Sequence, residues 1–139
     1  MSRKSRKLAV LIGVGVLAVL VLAACGGPQT INVTEKDYSI TLSSDTMNAG
    51  SITFHVTNEA TDMSHEFVII KTDLPGNNLP LNADGNVDES QLTMIDAIKG
   101  LAAGDTQDLT VNLQPGHYVA ICDLPGHYKQ GMYIDFTVK

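Results

Sequence analysis

The sequence lacks tryptophan, is poor in other aromatic residues, and has only two cysteines among its 139 residues. Two cysteines are too few for a mini-protein held together by several disulfides. Basic residues are scarce outside the N-terminus: after position 24 there are five Lys and Arg against fifteen Asp and Glu, a net charge of −10. A domain this acidic repels phosphate backbones, which excludes nucleic-acid binding. The length admits one small domain with a targeting segment and excludes a multidomain enzyme.

The N-terminus combines a basic cluster with an apolar run. Four of the nine basic residues lie in the first seven positions, and residues 8–24 contain no polar side chain. This pattern is typical of a secretory signal, and the run is short for a membrane-spanning helix. It ends in Leu22-Ala23-Ala24-Cys25, which resembles the lipobox of bacterial lipoproteins. The resemblance implies cleavage before Cys25 and acylation of its thiol, with an uncleaved N-terminal anchor as the alternative.

Residues 1–24 are therefore predicted to be a lipoprotein signal peptide, residues 25–29 a lipid-anchored tether, and residues 30–139 one domain. Either interpretation of the N-terminus places that domain on the extracytoplasmic side of a bacterial membrane, in the periplasm or at the cell surface. A lipidated Cys25 leaves Cys122 unpaired in an oxidising compartment, so this thiol needs an explanation. A disulfide between the two cysteines is the alternative.

Alternating apolar and polar residues predict short β-strands through most of the domain. These segments are 31–33, 38–42, 52–56, 109–113, 118–122 and 132–138. The continuous apolar run 67–70 suits a strand that is covered on both faces. Leu92, Ile95 and Ile98 recur at spacings of three, which predicts a short helix over 89–99. Together these patterns predict an all-β protein, an antiparallel Greek-key β-sandwich of about seven or eight strands with one short helical segment.

Metal-binding side chains are concentrated between Cys122 and Met132. Cys122, His127 and Met132 follow one another at intervals of five residues, on a loop between two predicted strands. His65 lies far upstream, just before the apolar run at 67–70. One thiolate, two imidazoles and a weak thioether are the ligand set of a mononuclear blue-copper site. Sulfur ligands stabilise Cu(I) while imidazole serves both oxidation states, so this set indicates one-electron transfer.

These motifs resemble those of the cupredoxins, the type 1 blue-copper family that includes plastocyanin, azurin, auracyanin, rusticyanin and sulfocyanin. The resemblance covers roughly residues 38–139, and its core is His65-Glu-Phe-Val-Ile together with the C-x4-H-x4-M run. It implies a cupredoxin-like sandwich that binds one type 1 copper ion. In the family pattern the residues matching His65, Cys122 and His127 are the equatorial ligands, and the one matching Met132 is the axial ligand.

One residue departs from that pattern. Many family members have Asn after the first histidine, whereas this sequence has Glu66. A carboxylate there could alter the reduction potential or coordinate the metal, which would give the site a harder character.

The resemblance implies an electron carrier, not an enzyme, that cycles Cu(II)/Cu(I) between extracytoplasmic redox partners. The alternative is a copper-handling lipoprotein that buffers or delivers the ion. We expect a monomer that docks a redox partner such as a cytochrome through a basic face of that partner, because this domain is acidic. The family pattern also places His127 in an apolar surface patch, for which Leu124, Pro125, Tyr128 and Met63 are candidates.

Other polar residues have simpler interpretations. His55 and His117 fall on the polar faces of their predicted strands, so we expect His55 to be solvated and His117 to be a surface residue. Residues 82–88 are rich in Asn and Asp like a calcium loop, but Val87 and Thr93 occupy the places where that motif needs Gly and Glu. This segment is therefore predicted to be a solvated loop.

Overall fold

The computed structural model describes residues 27–139. The predicted signal peptide and Cys25 lie outside the described residues, so the interpretation of the N-terminus stays a prediction. Within 27–139, no helix is long and apolar enough to cross a membrane. Three single-turn 3-10 helices make up the helical content of this part of the chain: Gly76–Asn78, Glu89–Gln91 and Tyr128–Gln130.

Nine strands form the described domain, slightly more than the sequence predicts. They are β1 (Gln29–Lys36), β2 (Ser39–Leu42), β3 (Thr46–Met47), β4 (Gly50–Asn58), β5 (His65–Lys71), β6 (Thr93–Leu101), β7 (Thr106–Leu113), β8 (Gly116–Ile121) and β9 (Tyr133–Val138). They make a four-stranded sheet in the order β2-β1-β4-β7 and a five-stranded sheet in the order β3-β9-β8-β5-β6. The predicted β-sandwich is confirmed.

Most strand pairs are antiparallel, as predicted, but two pairs are parallel. Strand β1 runs parallel to β4, and β3 runs parallel to β9, while the remaining pairs are antiparallel. The reason is that β1 and β4 are not joined by a hairpin, since β2 and β3 come between them and β3 belongs to the other sheet. Alternation in a sequence reports which face of a strand is buried and carries no information on strand direction.

The core lies between the two sheets and follows the alternation of the strands. Phe54 on β4 packs against Phe67 on β5 and Phe136 on β9, with ring centroids 5.4 and 5.8 Å apart. Strand β5 is buried on both faces, as its apolar run predicts: Phe67 and Ile69 face the four-stranded sheet, while Val68 and Ile70 face away from it. The second face is covered by segment 73–92, which contributes Leu79 and Val87, and by Tyr128.

The predicted helix over 89–99 is wrong, because Thr93–Leu101 is strand β6. Ile98 and Leu101 are both buried although they are three residues apart. The register of β5 and β6 shifts between the pairs His65–Leu101 and Phe67–Ile98, so that one extra residue of β6 is accommodated there. A second shift adjoins Ile69. Such bulges convert the two-residue period of a strand into a local spacing of three, which imitates a helix.

Candidate metal centre

Two of the predicted ligands lie at the ends of adjacent strands. His65 is the first residue of β5, and Cys122 directly follows the last residue of β8. These strands pair antiparallel, with Val68 opposite Ile121, so the start of one lies beside the end of the other. Both side chains are fully buried. Their positions therefore follow from the register of the sheet.

The third predicted ligand lies on the loop between β8 and β9. The His127 Nδ1 atom is 3.3 Å from the Cys122 Sγ atom, and His65 Nδ1 is 4.0 Å from the same sulfur. One donor atom from each of the three residues lies within 4.8 Å of those of the other two. Donors that are each about 2 Å from a shared ion are separated by roughly 3 to 4 Å. The three side chains therefore fit one small transition-metal ion.

Backbone hydrogen bonds fold this loop back on itself. The His127 N–H donates to the Leu124 carbonyl (2.9 Å), and Gly131 adopts a left-handed conformation (φ 99°) that ends the turn. The Met132 N–H then donates to the His127 carbonyl (3.2 Å), while the Cys122 N–H donates to the Met132 carbonyl (3.0 Å). The loop thus brings Met132 back beside Cys122, with its side chain fully buried.

The Cys122 thiol is buried but is not isolated from polar groups. The Glu66 N–H donates a hydrogen bond to Sγ at 3.3 Å. Burial raises the pKa of Cys122 to about 11, although the backbone N–H groups of Leu124 and Glu66 act in the opposite direction. Without a metal the group is therefore a thiol, and a metal ion must displace its proton.

The two imidazoles are in the form that binds metals. Burial lowers the pKa of His65, and the nearby His127 lowers it further. Burial also lowers the pKa of His127, which is half-exposed. A neutral imidazole has a free lone pair on one ring nitrogen, so neither histidine has to lose a proton near pH 7 before it coordinates.

The carboxylate of Glu66 contacts a lysine. Its Oε2 atom lies 2.9 Å from Lys99 Nζ on β6, and the same ammonium group lies 3.4 Å from Glu89 Oε1. The side chain that departs from the family pattern thus forms an ion pair beside the site, and its backbone supplies the hydrogen bond to sulfur. The sequence does not identify Lys99 as part of this arrangement.

Asn58 fixes the segment that leads into His65. Its Nδ2 group donates to the carbonyls of Met63 (2.8 Å) and Leu101 (3.0 Å), and its Oδ1 accepts from the Ala60 N–H (2.9 Å). The side chain is fully buried and its polar atoms are satisfied. These bonds join the end of β4 to the segment before His65 and to Leu101, which pairs with His65 at the end of β6.

A buried carboxyl group lies at the same end of the sandwich. Glu35 is fully buried, and neither of its carboxyl oxygens has a hydrogen-bond partner among the described residues; the same holds for His65 Nε2. Burial, with a smaller contribution from the charge of Glu66, raises the pKa of Glu35 to about 8. The sequence contained a signal that was missed, because Glu35 continues the inward-facing alternation of Ile31 and Val33.

The structure separates the other candidate residues from the site. His55 is exposed, as predicted, and its Nδ1 lies 2.6 Å from Asp108 Oδ1. His117 is half-exposed, as a surface residue was predicted to be, with Nδ1 2.6 Å from the Thr72 carbonyl and Nε2 3.0 Å from Asp135 Oδ1. Tyr128, by contrast, is not a surface residue. It is buried, and its hydroxyl donates to the Gly76 carbonyl and accepts from the Leu79 N–H.

A two-sheet β-sandwich that gathers a thiol, two imidazoles and a methionine at one end is the architecture of the cupredoxins, the blue-copper proteins. The comparison with protein families agrees: the sulfocyanin (SoxE) domain matches residues 16–139. The chain belongs to the sulfocyanin family, and its thiol, two imidazoles and methionine are the donor set that suits one type 1 copper ion. No curated protein matches the chain.

Solved structures support the fold assignment. Auracyanin from Roseiflexus castenholzii is 24% identical, with a TM-score of 0.57 over 81% of this chain and 96% of that one. Auracyanin A from Chloroflexus aurantiacus, a "blue" copper protein, is 24% identical, with a TM-score of 0.58 over 81% and 100%. Rusticyanin from Thiobacillus ferrooxidans is 17% identical, with a TM-score of 0.59 over 79% and 77%. At these identities the likeness establishes the fold alone.

Proposed function

We propose that this protein is a one-electron carrier in which His65, Cys122, His127 and Met132 hold the copper ion. The observation that carries the proposal is the convergence of three donor atoms within 4.8 Å at the end of a rigid sandwich. When bound, copper supplies a couple between Cu(II) and Cu(I). The protein holds its donors in place on strand ends and on a closed loop, so that little rearrangement accompanies the change of charge.

The sulfur and nitrogen ligands differ in the oxidation state of copper that they favour. Cys122 would supply a thiolate and Met132 a weak thioether, and both soft ligands would favour the reduced ion. The hydrogen bond from the Glu66 N–H withdraws charge from the thiolate sulfur and adds to that preference. The imidazoles would suit both oxidation states, so the same four side chains could hold either form of the ion.

The surface around His127 suits electron exchange. His127 is half-exposed, while His65 is fully buried. On the same loop Leu124 is half-exposed and Pro125 is exposed, and Met63, two residues before His65, is half-exposed, so apolar side chains are available for contact with a partner. A partner that docks here brings its own redox centre close to a ligand without crossing the protein core.

The charge of the domain predicts the chemistry of the partner. The net charge of −10 after residue 24 favours a redox protein with a basic docking face, such as a cytochrome. The association rate with a basic cytochrome is expected to fall as salt is raised from 0.02 to about 0.2 M, because these charges are screened over about 10 Å at 0.1 M salt. A salt-independent rate would remove charge steering from the proposal.

We further propose that the protein works as a lipid-anchored monomer on the extracytoplasmic side of a bacterial membrane. The support is the apolar run and the lipobox-like sequence ending in Cys25. Metabolic labelling with a radioactive fatty acid tests this directly. Label is expected in the wild-type chain and not in Cys25→Ser, whereas an uncleaved apolar anchor would leave both chains unlabelled and membrane-bound.

Electron transfer is distinguished from copper handling by two rates measured on the copper-loaded full chain. A carrier exchanges electrons between its own oxidised and reduced forms quickly and keeps its copper when an acceptor protein is added. A handling protein exchanges electrons slowly and gives up copper to the acceptor. We expect the first pattern; ready copper transfer with slow self-exchange would favour the second function.

A further inference from the structure

A strained turn lies directly beside the half-exposed histidine. Asp37 and Tyr38 join β1 to β2, and both have positive φ angles, 28° and 69°. Because Lys36 pairs with Ser39, Asp37 and Tyr38 form a two-residue hairpin loop. Such loops need left-handed backbone at both positions and usually contain Asn or Asp followed by Gly. A tyrosine at the second position costs stability, since its Cβ is crowded in this conformation.

The strained turn delivers an aromatic ring to His127. The ring centroids of Tyr38 and His127 are 5.1 Å apart with an interplanar angle of 80°, an edge-to-face contact. On another side the His65 ring lies 5.3 Å away, also at a steep angle of 68°. The Cys122 sulfur is the third neighbour, at 3.3 Å from Nδ1. The loop histidine thus has aromatic support from a separate part of the chain.

We propose that Tyr38 is a positioning residue that holds the His127 imidazole in a single orientation. This inference deepens the proposed function and rests on it for its consequence in electron transfer. A half-exposed imidazole on a loop is free to rotate or swing when the charge of the site changes, and such movement adds to the barrier. Edge-to-face packing against Tyr38 opposes that movement. Glycine at position 38 would relieve the backbone strain, but it would also remove the aromatic ring that contacts His127.

A purely structural role for Tyr38 predicts the opposite outcome for one variant. Tyr38→Gly relieves the left-handed strain, so a tyrosine that only fills the turn could be replaced with no loss at the site. Under the positioning role, Tyr38→Gly and Tyr38→Leu both release His127, and Tyr38→Phe restores it because the ring remains. Asp37→Gly changes the neighbouring turn position without removing the ring, and it is expected to leave the His127 signals unchanged.

The first test uses the metal-free full chain, so it does not depend on electron transfer. NMR of labelled histidine rings reports the ring-current shift and the exchange broadening of His127. We expect the shift to be lost and the signal broadened in Tyr38→Leu and Tyr38→Gly, and both to be retained in Tyr38→Phe. Tyr133→Leu is the matched control, because Tyr133 is a half-buried tyrosine that packs on Tyr128. Unchanged His127 signals in the Leu and Gly variants would overturn the proposal.

The second test measures electron self-exchange in the copper-loaded variants. Loss of an aromatic contact is expected to slow exchange by about tenfold in Tyr38→Leu and Tyr38→Gly, and by less than about twofold in Tyr38→Phe. An equal slowing in Tyr133→Leu would contradict a specific role. If the wild-type chain itself exchanges slowly, the proposed function fails, while the metal-free spectra still decide whether Tyr38 positions His127.

Discussion

The two histidines of the site occupy contrasting environments. His65 is the first residue of β5 in the five-stranded sheet and is fully buried, and Asn58 holds the segment before it through hydrogen bonds. His127 lies on the loop after β8, half-exposed, and packs against a side chain from the β1–β2 turn. The buried histidine takes its position from strand register. The exposed one takes its position from local hydrogen bonds and one aromatic contact. His65 is therefore the firmly held ligand, and His127 is the ligand that a partner can reach.

The largest effect is expected when each imidazole is removed in turn, which tests whether the two histidine sites differ in access to solvent. In His127→Gly, the space left is open to solvent, so added imidazole is expected to enter it and restore the blue absorption of the Cu(II) protein. In His65→Gly, the cavity is closed by the core, so imidazole is expected to restore little or nothing. The measurement is the visible spectrum of each variant titrated with imidazole.

Glycine costs stability in a strand, where His65 lies, so His65→Gly and His127→Gly are both first checked for folding by circular dichroism. Imidazole that rescues both variants equally would show that the two sites do not differ in access. Rescue of His65→Gly alone would show that the His65 site, and not the His127 site, is the one open to solvent.

The second largest effect concerns the free energy of unfolding, which depends on the buried carboxyl group of Glu35. The unfolded Glu35 loses its proton near pH 4.5, while in the folded metal-free chain burial holds its pKa at about 8. The folded state therefore binds one more proton between these values, and stability falls as pH rises through that window. The expected slope is about 1.4 kcal/mol per pH unit from this group. Denaturant unfolding of the metal-free chain between pH 5.5 and 7.5 measures it.

Glu35→Gln keeps the shape and removes the charge, so it is expected to flatten this slope and to be the more stable protein at pH 7.5. Glu59→Gln is the matched control, because Glu59 is exposed and its carboxylate contacts Lys36 at 3.8 Å. Parallel pH profiles for the wild type and Glu35→Gln would contradict the burial of an uncompensated carboxyl.

The third effect tests the thiol that both histidines face. Because burial raises the pKa of Cys122 to about 11, metal binding near pH 7 releases one proton from sulfur. The lowered pKa values of the two imidazoles mean that they release few protons there. The Cu(II) affinity, measured by competition with a chelator, is therefore expected to rise about tenfold per pH unit, or roughly 100-fold between pH 6 and 8. A pH-independent affinity, after correction for the chelator, would contradict a protonated thiol.

The smallest effect concerns the ion pair beside the buried half of the site. Lys99→Met removes a positive charge 2.9 Å from the Glu66 carboxylate, so the oxidised, more positive state of the site is favoured and the reduction potential is expected to fall slightly. The pair is partly solvated, and its loss is expected to cost less than about 1 kcal/mol of stability. Voltammetry measures the change, with Lys71→Met at the far end of β5 as control. A larger shift in the control would exclude a local effect.

The sequence predicted the sandwich and the cluster of donor residues, but it left out how they are held. Strand alternation and the spacing of Cys122, His127 and Met132 are local features, so they are visible without a structure. The parallel pairing of β1 with β4 is a long-range feature and leaves no local trace. The bulges of β6 changed its apolar period and led to the mistaken helix.

The contacts that sequence reasoning missed all join distant parts of the chain. Lys99 reaches Glu66 across two paired strands, and Tyr38 reaches His127 from a turn almost ninety positions away, so neither pairing has a sequence signature. Glu35 is different, because its place in the alternation already indicated burial. An acid in phase with apolar residues was a readable signal.

The most direct test of the central claim is the visible and electron-paramagnetic-resonance spectrum of the full chain with Cu(II), measured beside Cys122→Ser. The account predicts an intense blue thiolate-to-copper band with a narrow copper hyperfine splitting, both lost in the variant. A red or colourless wild-type protein, or a spectrum that Cys122→Ser leaves intact, would contradict a type 1 site built on this thiol.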